Sequence, residues 1–109
     1  MKIEKKDNYT LFISEETSFV DFTTAFTAVV QNEESHLIVV LNDTLQCTVQ
    51  ELSFFYPIAE EFAANSRSFI LVNNQVDIDD FPEEFNVAPT LLEAEDILEM
   101  EDIQRDLGF

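Results

Sequence analysis

Cys47 and Thr48 bring a thiol and a hydroxyl to the start of a helical pattern, Cys47-Thr48-Val49-Gln50-Glu51-Leu52. A thiol at a helix N-terminus is a nucleophile where the dipole lowers its pKa. A threonine there either accepts a phosphoryl group or caps the helix. The Thr48-x-x-Glu51 spacing is that of a capping box, with the hydroxyl bonded to the Glu51 N–H and the Glu51 carboxylate returning to the Thr48 N–H. A phosphate on Thr48 would be favoured by the dipole, yet it would displace Glu51 and add charge to an acidic surface. For Cys47 the competing reading is a small buried hydrophobe, since no histidine lies nearby in sequence to activate it.

Other catalytic constellations are missing. His36 is the only histidine and reads as a surface residue at the entrance of a strand. One histidine supplies neither a zinc hydrolase nor, without an adjacent nucleophile, a Ser-His-Asp triad. Gly108 is the only glycine, so no P-loop or dinucleotide fingerprint exists. Asp77-Ile78-Asp79-Asp80 invites a calcium reading, but Phe81 and Pro82 stand where an EF-hand loop needs a ligand and its glycine. No cofactor or dedicated metal site is expected, and neither is enzymatic activity.

The elements that carry these residues follow from periodicity. Lys2–Lys6 and Tyr9–Ser14 read as a hairpin around Asp7-Asn8. Ser18 opens a helix whose Phe19, Phe22, Phe26, Val29 and Val30 share one face. Leu37–Leu41 and Ser68–Asn73 are apolar runs without alternation, as in strands buried on both sides. Between them Thr48–Ala64 has a helical pattern, with Val49, Leu52, Phe55, Ala59, Phe62 and Ala63 inward. Pro57 predicts a kink there, or a break into two pieces.

Asn74–Phe85 is irregular and acidic, with a helical turn expected at Pro82-Glu83-Glu84, and Asn86–Ala88 is a short edge strand. Thr90-Leu91-Leu92-Glu93 is a second capping box and starts a helix to about Asp106. Its apolar side is read as Leu91, Ala94, Ile97, Leu98 and Ile103. Gly108 takes the C′ position, with Phe109 placed to fold back on the last turn.

Charge narrows the partners. The chain has 109 residues, 23 acids and 5 bases, for a net charge of −18. That surface repels nucleic-acid phosphates and anionic lipid headgroups, and attracts basic proteins or cations. Apolar residues make up 46%, eleven of them Phe, which is enough for a core and argues against disorder. Three of the bases are Lys2, Lys5 and Lys6, whereas Asp77–Asp106 holds twelve acids and only Arg105. A lone cysteine excludes an internal disulfide, and no signal peptide or membrane span is evident, so one cytoplasmic domain over residues 1–109 is the expectation.

The hairpin, first helix, strand Leu37–Leu41, helix from Thr48, strand Phe69–Val72 and last helix together resemble a STAS domain, the fold of bacterial anti-sigma-factor antagonists. The resemblance is one of element order and spacing over nearly the whole chain. It implies an α/β fold: a STAS-like mixed sheet of four to five strands with an N-terminal hairpin and three to four helices. Antagonists of that family carry an Asp-Ser-x-Gly-like motif whose serine is phosphorylated to release the anti-sigma factor. Here the place is held by Cys47-Thr48-Val49-Gln50, which lacks the aspartate and glycine, so Thr48 would be a degenerate phosphorylation position. The ending Glu93–Phe109 also resembles small bacterial proteins sometimes labelled ribonuclease Z. That label does not fit a chain with one histidine.

These readings lead to a non-catalytic regulatory or adaptor protein that binds another protein with a basic surface. The expected contacts are Asp43, Thr44 and Glu51 at the strand–helix junction, and Met100, Leu107 and Phe109 on the last helix. The alternative is an acidic nucleic-acid mimic that occupies the basic groove of a nuclease or polymerase.

Overall fold

Residues 1–108 are described by a computed structural model. Five strands form one mixed sheet in the order β1-β2-β3-β4-β5, so spatial order follows chain order. β1 (Lys2–Lys5) runs antiparallel to β2 (Tyr9–Ile13). β3 (His36–Val40), β4 (Phe69–Val72) and β5 (Asn86–Ala88) then add in parallel. The α/β class expected from the sequence is therefore found, and both hairpin and edge strand are present.

Sequential parallel strands joined by crossovers of one hand leave their helices on one face. That face carries α1 (Phe19–Val30), α2 (Val49–Leu52) and α3 (Tyr56–Ala64) over Phe12, Leu37, Val39, Phe69, Leu71 and Val87. α4 (Leu91–Asp106) follows the last strand and packs Ala94 and Leu98 on the opposite face, over Leu11, Ile38, Ile70 and Val72. Alternate residues of β3 and β4 thus enter two different cores, which is why neither strand alternates apolar with polar.

Phe55 is the hub of the larger core. Its ring lies 5.3 Å from Phe26, 5.9 Å from Phe69, 6.1 Å from Phe22 and 6.2 Å from Phe19. The pairs with Phe19, Phe22 and Phe26 are edge to face and the one with Phe69 is tilted, and such contacts add to the area each ring buries.

Several expectations are corrected. The Thr48–Ala64 pattern is broken: α2 ends at Leu52, a 3₁₀ turn spans Ser53–Phe55, and α3 starts at Tyr56 with Pro57 in its first turn. Proline is tolerated there because the first N–H groups of a helix have no internal acceptor. Ala63 and Ile103, expected inward, are exposed. A 3₁₀ turn at Ile78–Asp80, capped by the Asp77 carboxylate accepting the Asp79 N–H, is added to the turn expected at Pro82–Glu84, which is present as one bond from the Phe85 N–H to the Pro82 carbonyl at 3.0 Å. At α4 the Thr90 hydroxyl accepts the Glu93 N–H, but Glu93 returns to the hydroxyl and not to the Thr90 N–H, so the box is half formed. Gly108 has φ +82° and follows the last helical turn as expected.

Among the described residues no helix is long and apolar enough to cross a membrane.

Candidate functional site

The strand–helix junction is built by side chains that hold the backbone. After β3, the Asn42 N–H donates to the buried Ser14 hydroxyl at 2.8 Å, and the Asn42 amide donates to the Ser14 carbonyl. Asn42 Oδ1 accepts the Thr44 N–H at 3.1 Å and the Thr44 hydroxyl at 2.6 Å. Asp43 is exposed, and its carbonyl accepts from the Gln75 amide at 3.2 Å.

Thr48 and Glu51 form the full capping box, each bond 3.0 Å. Both candidate hydroxyls therefore serve the local fold, and α2 behind them is a single turn. Burial first, and Glu51 second, push the Cys47 thiol up to about 11, so little thiolate forms at neutral pH. The dipole of so short a helix does not offset that burial.

A second polar group lies at the other end of the sheet, where β3, β4 and β5 begin. The Ser68 hydroxyl donates to Glu101 at 2.6 Å and accepts from Arg105 at 3.0 Å. The Asn86 amide donates to the same carboxylate at 2.9 Å. His36 Nδ1 accepts the Ser68 N–H at 2.9 Å, which leaves Nε2 facing Asp102 at 3.3 Å. Arg105 donates to Asp102 at 2.6 Å, and the Tyr9 hydroxyl donates to Glu95 at 2.7 Å.

This network corrects the reading of His36 as a simple surface residue, since its ring is half-buried between β4 and α4. Serine, histidine and aspartate meet here without triad geometry. The serine gives its backbone N–H to the histidine, while its hydroxyl is buried and turned to Glu101. The arrangement fastens α4 to the strand ends.

Burial lowers the His36 pKa from its ordinary value; Arg105 and Arg67 add to that, against the opposing pull of Asp102 and Glu101. Burial raises the Asp102 pKa, but Arg105, Asn8 and His36 outweigh it and hold the carboxyl below its usual range. With His36 neutral near pH 7, Arg105 is the effective partner of Asp102. Burial first and Glu95 second push Tyr9 up to about 12.

With that side of α4 fastened, the opposite side is bare. Leu92 is 69% exposed, Met100 61%, Ile103 52% and Leu107 66%. At 3.6 residues per turn these four fall within an arc of about 80°, opposite Leu98. Exposed Glu93, Asp96, Glu99 and Asp106 lie among and beside them. Among the described residues, Asp102 is the only acid of α4 in an ion pair.

The two groups of expected contacts do not form one surface. Asp43, Thr44, Thr48 and Glu51 follow the carboxyl end of β3. Met100 and Leu107 lie toward the amino ends of the strands, on the α4 face of the sheet. At ~3.3 Å per residue, the length of β3 alone separates them by well over 10 Å. Phe109 lies outside the described residues. Leu92 and Ile103 are members of the bare arc that the sequence reading missed or turned inward. Their 11-residue spacing, about three full turns, was the signal available.

Among the described residues no group of three His, Cys, Asp or Glu side chains is placed to hold a metal ion. No protein-family model matches this chain, and no curated protein matches it in sequence.

Proposed function

We propose that this chain is a non-catalytic, STAS-like adaptor that acts by protein–protein contact through the outward face of α4. The observation that carries the proposal is the exposure of Leu92, Met100, Ile103 and Leu107 on one arc of a helix whose other arc is fastened to the sheet. A fastened helix presents its side chains pre-organised, so binding loses little further chain entropy. Burial of the four apolar side chains supplies affinity at ~25 cal/mol per Å².

The acids around the arc select a partner with a basic rim and speed its approach. A second copy of the chain is a poor occupant, because α4 against α4 would set acid against acid. The STAS-like assignment rests on element order. The Thr48 box, in place of an Asp-Ser-x-Gly-like motif, supports antagonist-like binding that is constitutive rather than switched by phosphate.

Affinity capture from the parent cell tests the proposal, comparing the intact chain with a Met100→Ser/Ile103→Ser/Leu107→Ser variant. These side chains point outward, so the fold is expected to hold. Deletion of residues 100–109 would instead remove Glu101, Asp102 and Arg105 from the network. Loss of a basic protein from the variant's captured set supports the reading, and equal recovery rejects it. A nuclease or polymerase recovered equally by both proteins, and released between low and moderate salt, would establish the acidic-mimic alternative.

A further inference from the structure

A groove of about 260 Å³ runs along α3, between that helix and the Pro82–Phe85 turn. Ala59 and Ala63, one helical turn apart, form its floor and leave it open because each carries only a methyl group. The Tyr56 and Phe85 rings meet edge to face at one end, with centroids 4.8 Å apart. Phe85 also packs against Phe69 and Phe81, so this aromatic wall is anchored in the core. Glu60 and Glu84 are exposed on opposite banks. Among the described residues neither carboxylate belongs to an ion pair.

We propose that this groove receives an arginine side chain from a basic protein partner. The alanine floor suits the methylene stem. The half-buried Tyr56 ring, held in place by the buried Phe85 behind it, suits the guanidinium plane, and a carboxylate on either bank suits its fork. Lysine matches less well, because a compact ammonium neither stacks nor forks. The volume lies below the ~300–1,000 Å³ of drug-sized pockets and fits a single side chain. The chain already uses the same chemistry on this helix: the Arg67 guanidinium lies over the Phe62 ring at 4.3 Å. A net charge of −18 concentrates cations at such a site. α3 and α4 cover opposite faces of the sheet, so the inference stands whether or not the α4 reading does.

The test is an NMR titration of the whole chain at physiological salt, with N-acetyl-arginine amide as probe and N-acetyl-norleucine amide as the apolar control. Saturable shifts are expected at Tyr56, Ala59, Ala63 and Phe85, with the control binding at least about fivefold more weakly. Glu60→Gln/Glu84→Gln changes two exposed side chains without touching the core, and should weaken arginine binding by about fivefold or more. Tyr56→Leu should weaken it similarly. The proposal is overturned if the shifts spread evenly over the acids of α4, if the control binds as tightly, or if the glutamine pair leaves the titration unchanged.

Discussion

The Ser68 hydroxyl, one residue before β4, donates to the Glu101 carboxylate of α4 across 2.6 Å. Ser68 is 2% exposed, and the same oxygen accepts from Arg105. Ser68→Ala leaves both charged partners without it in a half-buried setting. The expected loss is ~1–3 kcal/mol in urea unfolding, whereas Met100→Ala on the bare arc should change stability by less than ~0.5 kcal/mol.

The network should respond to mild acid through His36. Protonation turns Nδ1 into a donor that faces the Ser68 N–H donor. Because the folded pKa is depressed below 6.5, His36 contributes stability above pH 6.5 and loses it as pH falls through the folded value. The urea midpoint should therefore drop between pH 7.5 and 5.5, and His36→Gln should drop less. Direct NMR titration should place the His36 pKa below 6.5.

Thr48 separates structure from binding. Thr48→Ala removes the box and should cost ~1 kcal/mol. Because Thr48 lies at the far end of the sheet from Met100 and Leu107, the variant should capture the α4 partner as well as the intact chain does. Loss of capture with Thr48→Ala would move the binding surface to the junction.

Two adjacent phenylalanines should differ sharply. Phe55 is fully buried among five rings, and Phe55→Ala should cost ~3–5 kcal/mol. Phe54 is 36% exposed, and Phe54→Ala should cost less than ~2 kcal/mol. Equal losses in thermal or urea unfolding would contradict the inward register of the 3₁₀ turn.

Cys47 should be slow toward alkylating reagents. A thiol pushed up from 9.0 to about 11 carries roughly one hundredth of the usual thiolate at neutral pH. Iodoacetamide modification followed by mass spectrometry should proceed about 100-fold more slowly than for an exposed thiol. A rate equal to that of a free cysteine would show that the burial is transient.

Local chemistry was legible in the chain. Ser18, Thr48 and Thr90 mark helix starts because a cap bonds an N–H only three residues away, and Gly108 marks a stop for the same reason of proximity. The break near Pro57 was legible because a missing N–H is a property of that residue alone. Ala63 was misplaced because helical spacing does not define the width of the face that the sheet covers, whereas Ile103 stands about 140° around α4 from Leu98, so its spacing already put it outward. The role of His36 was invisible because its partners, Ser68 and Asp102, come from two later elements, one of them 32 residues away.

By itself, then, the sequence determined the alternation of strand and helix, the caps, the two-sided burial of β3 and β4, and the acidity of α4, all set by residue type and near neighbours. The tertiary structure alone decided which arc of α4 is fastened and which is bare, and set the junction and the Met100–Leu107 part of that arc at opposite ends of the sheet. The reason is physical. Those outcomes depend on strand order and direction, and hence on contacts between residues far apart in the chain, such as Ser68 with Glu101 and Tyr9 with Glu95, which no local pattern encodes.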